Sequence, residues 1–204
     1  MPDEQHGLKL FEPELIRGIA GRLRVEWLLR RFDERKVWAA FMFVNGFVTI
    51  GLLSLVALVT GTPFVFPSLG PTAFLFFFDP RAPSASPHHA VIGHAIGISC
   101  GYGSLLLFHL EHSGSALALG VTGPRVLAAA LSLAATGALM ILFKAAHPPA
   151  GATTLIVSLG AIVRPQYLVI IEVALVLLVL QAIAINRLAG LDYPLWRPRE
   201  RAPR

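Results

Sequence analysis

The chain has 204 residues, is 55% hydrophobic and carries a formal charge of +5, with a mean hydropathy of +0.67. That is too apolar for a soluble domain, in which apolar residues make up roughly 45–50%. Between Val37 and Asn186 the only charged side chains are Asp79, Arg81, Glu111, Arg125, Lys144, Arg164 and Glu172. A water-exposed helix face needs more charge than this, so the composition excludes a soluble enzyme and points to an integral membrane protein.

The N-terminal segment, residues 1–36, is acidic at its start and has no short apolar core with a cleavage site, so it is not expected to be a signal peptide. Within it Leu15, Ile16, Ile19, Leu23, Trp27 and Leu28 recur at three- and four-residue steps, with Arg17, Arg22, Arg24, Arg30 and Arg31 between them. The pattern fits a helix on the lipid surface or one packed on the protein. The basic flanks predict contact with anionic membrane lipid rather than nucleic acid.

The first predicted span is 37–60, with Asn45 as its one strongly polar residue. Polar side chains in spans usually face the protein interior. The stretch 61–80, "GTPFVFPSLGPTAFLFFFDP", is apolar, yet Pro63, Pro67 and Pro71 forbid a continuous helix. It predicts an extended entry followed by a half-helix. A second span, 89–110, carries Gly93, Gly97 and Gly101 at the four-residue spacing that lets helices pack closely in lipid. A third, 124–146, leads into a second broken stretch, "HPPAGATTLIVSLG", and the last span is 167–188. The tail, 191–204, is basic and proline-rich and predicts disorder.

Aligning Gly70 with Gly151 pairs Thr72 with Thr153, an offset of 81 residues that also lays the second span over the fourth. The predicted fold is therefore all-α, with four full membrane helices and two half-helical segments. They form two internal repeats, about 37–111 and 124–190, within a transmembrane domain of 37–190. If the broken segments re-enter and return, the chain crosses four times. If they cross, it crosses six times and the halves are inverted. Basic tails imply an even number of crossings and two cytoplasmic termini.

Paired Gly/Pro-interrupted segments in two halves are the best sequence pointer to a transporter site. Half-helices starting inside the bilayer aim free N–H groups and the positive dipole end at one place, which favours an anion. Ser68, Gly70, Thr72, His147, Gly151, Thr153 and Thr154 are the candidate binding residues. Thr153 and Thr154 either present hydroxyls to the site or bond back to their own helix. Pro67, Pro71, Pro148 and Pro149 set the shape of the two breaks. His147 either supplies a switchable donor or bonds a nearby carbonyl. His94, Asn45 and Glu172 are candidates for gating or proton coupling, with an interfacial role as the alternative for Glu172. Seven histidines with a single cysteine, Cys100, complete no metal set, and no nucleophile elbow or phosphate loop occurs. No metal, cofactor or enzymatic activity is expected.

The sequences "FPSLGPTAFLFF", "HAVIGHAIG" around Gly93 and His94, and "HPPAGATTL" resemble the HPP family of integral membrane proteins, named for the motif that stands here as His147, Pro148 and Pro149. The resemblance covers about 37–188. It implies four membrane-spanning helices and, because some plant and cyanobacterial members are implicated in nitrite transport, a small inorganic anion as substrate. The regulatory CBS-type domains of some homologues are not expected here. A transporter or channel for a nitrite-like monovalent anion is the leading expectation, and a membrane scaffold or sensor without transport is the alternative. The expected setting is a bacterial plasma membrane. Four spans make a thin bundle, so a homodimer is expected, with the glycine row part of a helix interface.

Overall fold

The computed structural model describes residues 24–198; the apolar stripe at 15–23 and the last six residues lie outside the described part. A short helix α1 (Val25–Leu29) precedes α2 (Glu34–Thr60), whose first turn is capped by Asp33 accepting from the Lys36 amide. The short α3 (Leu69–Phe78) follows an extended stretch, and a single 3₁₀ turn at Pro83–Ala85 leads to α4 (Pro87–Leu107). A small helix α5 (Ala116–Leu119) lies in the next loop. Then come α6 (Gly123–Leu142), the short α7 (Ala150–Ser158) and α8 (Pro165–Leu188). Among the described residues α2, α4, α6 and α8 are long and apolar enough to cross a membrane. The short helices, of 10 and 9 residues, reach only about 15 Å and 13 Å at 1.5 Å per residue.

The order long, short, long thus occurs twice. Backbone contacts give its direction. The Val25 amide bonds the Ala189 carbonyl, so the start of α2 and the end of α8 share one end of the bundle. The Asn186 side chain reaches the Phe76 carbonyl, so α3 runs toward that same end. His89, at the start of α4, contacts the carbonyl of Lys144, just after α6, which brings those termini to that end too. At the other end the Ala116 amide bonds the Leu159 carbonyl and Arg125 bonds the Ser158 carbonyl, so α7 runs away from the first end. The broken segments therefore traverse the bundle rather than turn back. Among the described residues the four long helices and the two short ones run along the bundle, and only the four long ones are long and apolar enough to cross a membrane.

Close packing is concentrated between α4 and α7. Added Cβ atoms would meet the His147 Cβ at 2.7 Å from Gly93, the Ala150 carbonyl oxygen at 2.8 Å from Gly97, and the Thr154 carbonyl oxygen at 2.9 Å from Gly101. The glycine row expected at a helix interface is where α4 meets the His147–Val157 segment of the same chain. Arg125, almost fully buried, pins the far end of α7 through the carbonyls of Ser158 (3.1 Å) and Gly114 (2.7 Å). A cation there also complements the negative end of the helix dipole.

The segment expected to be disordered from residue 191 is packed as far as it is described. Tyr193 is 1% exposed, donates its hydroxyl to the Ala85 carbonyl and meets Phe76 edge-on, while the Trp196 carbonyl accepts from the His88 amide. Two aromatic anchors in a proline-rich sequence outweigh its charge, and burial raises the Tyr193 phenol above its usual range.

Two measurements test this arrangement. Cysteine at Arg81 or Lys144, in a Cys100→Ser background, should react with an impermeant maleimide from the same membrane face as cysteine at Arg187. Cysteine at His112 or Ala161 should react from the opposite face. Arg81 and Lys144 labelling opposite to Arg187 would restore the re-entrant layout. Gly97→Ala should destabilise the protein by about 1–3 kcal/mol in thermal unfolding, because the methyl meets backbone. Gly103→Ala, with nothing within 4 Å of the new Cβ, should not.

Candidate functional site

Pro67 and Ser68 form a turn, and α3 starts immediately after it; Pro148 and Pro149 do the same for α7. Prolines here end the preceding segment and pre-set the backbone of the next turn. The fourth residue of α3 is Thr72 and the fourth of α7 is Thr153. Both hydroxyls point at one imidazole. His94 Nε2 lies 3.0 Å from Thr72 Oγ1, and His94 Nδ1 lies 2.8 Å from Thr153 Oγ1. The second histidine joins through Thr72, whose Oγ1 is 3.1 Å from His147 Nε2. His147 Nδ1 is 2.8 Å from the Ser84 carbonyl oxygen, next to the 3₁₀ turn. Thr72, His94, His147 and Thr153 are all fully buried. The rings of His94 and His147 are 5.2 Å apart.

The directions of these bonds follow from one fixed end. A carbonyl only accepts, so His147 Nδ1 carries the proton. In the neutral ring Nε2 is then an acceptor, and Thr72 donates to it. Thr72 oxygen in turn accepts from His94 Nε2–H, which leaves His94 Nδ1 to accept from Thr153. Every ring nitrogen is satisfied with both histidines neutral. The reverse tautomer of either ring would set two lone pairs face to face at about 3 Å, a cost of order 1–3 kcal/mol for a buried group.

Around this chain Thr154 hydroxyl contacts Thr136 Oγ1 of α6 at 3.0 Å and also lies within reach of the Ala150 carbonyl, so it ties helices together and borders the cluster. Ser68 enters through its carbonyl, 3.3 Å from Thr72 Oγ1, while its own buried hydroxyl has no partner. Gly70 is exposed, and Gly151 faces Leu133 rather than the cluster. Asn45, half-buried, donates to the Phe41 carbonyl on its own helix and lines a groove beside α1. Glu172 lies near the opposite end of α8; both its carboxylate oxygens are shielded and unpartnered. Neither Asn45 nor Glu172 bonds to the histidine cluster.

One expectation is corrected. The amides at the start of the short helices are not bare: Ala150, Gly151 and Ala152 donate to the carbonyls of His147, Pro148 and Pro149, and Leu69 donates to Phe66. The proline turn begins α7 with i→i−3 bonding, which uses the groups a simple helix start leaves free, and α3 begins with one such bond at Leu69. The dipole ends still converge, but side chains occupy their meeting point. The residues that sequence reasoning missed are Ser84 and Thr136. Ser84 acts through its backbone, which no residue identity reveals; Thr136 is a helical threonine with no local signal.

The architecture defines an all-helical integral membrane protein with a buried polar cluster between two interrupted segments. A family model for the HPP transmembrane region matches residues 33–194, and the chain belongs to that family. A transmembrane protein of Dictyostelium discoideum is 31% identical over 125 residues, covering 61% of this chain and 37% of that protein, so this chain spans well under two thirds of that relative. No solved structure matches.

The hydrogen-bonded chain makes a specific demand on Thr153. Thr153→Val should leave His94 Nδ1 without a donor and lower stability by about 1–3 kcal/mol in thermal unfolding. Thr153→Ser should restore most of it.

Proposed function

We propose that this protein carries a small monovalent anion, nitrite-like, across the membrane, with Thr72, His94, His147 and Thr153 forming the site. The observation that supports this most directly is the bridge at His94: one imidazole bonded on both sides by hydroxyls from the N-terminal turns of two different short helices. Two positive dipole ends in a dry place favour a negative guest. Hydroxyls and imidazole N–H groups supply donors for it once the chain of bonds opens. With no Lys or Arg at the cluster, binding stays weak enough for release.

The site sits about a third of the way along α4 from the end that holds both described termini. That end also gathers Arg24, Arg30, Arg31, Arg35 and Lys36 with Arg81, Lys144 and Arg187, whereas Arg125 and Arg164 lie at the other. The positive-inside rule then makes the termini cytoplasmic. A second copy of the chain would complete the lipid-facing surface of α2, on which Phe43, Phe47 and Leu58 are exposed. In this reading the protein is a carrier and not an enzyme.

The test is flux. The full chain in proteoliposomes should take up nitrite faster than protein-free vesicles, with nitrate, formate and chloride defining selectivity. His147→Ala should reduce uptake by about tenfold, the equivalent of one lost hydrogen bond of about 1.4 kcal/mol. Absence of uptake across all four anions would favour a scaffold or sensor role.

A further inference from the structure

The Thr72 hydroxyl has three partners within reach: His94 Nε2, His147 Nε2 and the Ser68 carbonyl at 3.0, 3.1 and 3.3 Å. With both rings neutral it accepts from His94 and donates to His147. Add a single proton to His147 Nε2, and the hydroxyl turns. It now accepts from both Nε2–H groups and donates to the Ser68 carbonyl. His147 Nδ1–H still bonds Ser84, and His94 Nδ1 still accepts from Thr153. The cluster thus has two arrangements in which every ring nitrogen is satisfied, and they differ by one proton and one hydroxyl rotation.

Charge decides what must accompany that proton. The protonated pair is a cation, fully buried, at the positive ends of two helices. The hydrogen-bond partners of the two rings are the Thr72 and Thr153 hydroxyls and the Ser84 carbonyl, and the nearby His89 and Tyr193 supply no negative charge near neutral pH. The segments α3, α6 and α7 contain no carboxylate, and the single acid of α8, Glu172, lies toward the far end. An unpaired buried charge costs several kcal/mol. An anion beside the pair removes that cost.

We propose that Thr72, His94 and His147 form a proton-binding site that fills together with the anion, one proton per monovalent anion. The inference rests on the transport reading and adds its coupling: the transported unit is neutral overall. Thr72 is the positioning residue whose rotation lets the pair hold or release the proton.

The experiment uses the full chain in proteoliposomes with a trapped pH dye and nitrite or formate as the probe, corrected for leakage of the neutral acid in protein-free vesicles. Anion entry should acidify the lumen mole for mole. A potassium–valinomycin voltage clamp should leave the rate unchanged. Thr72→Val should abolish the accompanying acidification and Thr72→Ser should retain it. Imidazole ¹⁵N spectra of the reconstituted wild-type protein, recorded during acidification with nitrite present, should show a single added proton at His147 Nε2 with His94 remaining neutral. Anion entry without protons, voltage-driven entry, or coupling intact in Thr72→Val overturns the inference and leaves the transport reading standing. No entry of either anion overturns the transport reading. The ¹⁵N spectra then judge the proton site alone: a proton gained at His147 upholds it, and unchanged rings reject it.

Discussion

His94 holds one hydroxyl on each of its ring nitrogens, and each hydroxyl belongs to a different interrupted segment. A buried imidazole in a membrane protein is tolerated only when its polar atoms are matched. Matching them requires α3 and α7 to present Thr72 and Thr153 at one level, from opposite directions. That requirement fixes the rotation of both short helices about their axes and the depth at which each begins. The proline turns before them set the same depth from the other side.

The close approach of α4 and α7 is what makes the bridge geometrically available. Gly93, Gly97 and Gly101 present no Cβ, so the backbone around His147 and Ala150 lies directly against α4. Adding 81 to those positions gives Ala174, Leu178 and Ala182 of α8, all fully buried. These positions carry side chains where α4 has none. The order long, short, long occurs in both halves, and the glycine row occurs in one of them. His94 has Leu175 at the corresponding position, so the polar bridge exists on one side only.

Polar groups away from the cluster show how a membrane interior treats an isolated donor. Asn45 is long enough to reach the Phe41 carbonyl one turn back, so its expected inward role is met by its own helix. Arg125 instead spends its guanidinium on two carbonyls at the end of α7, where buried positive charge is matched by backbone dipoles. Ordering that end of α7 by charge and its beginning by proline leaves the helix little freedom to slide.

Sequence alone determined the membrane class, the four long spans and the two short helical segments between them. Hydropathy, proline placement and local spacing are properties of the chain itself. His147 was marked by its neighbours Pro148 and Pro149, and His94 by its glycines. Tertiary structure decided in which directions the short segments run, that the glycine row serves α7, and that the first-turn amides of α7 are already occupied. It also decided that Gly70 and Gly151 stand aside and that Tyr193 anchors a segment whose composition predicts disorder. These outcomes depend on which backbone carbonyls come within reach of which side chains. A carbonyl such as that of Ser84 is present in every residue, so only the fold can single it out.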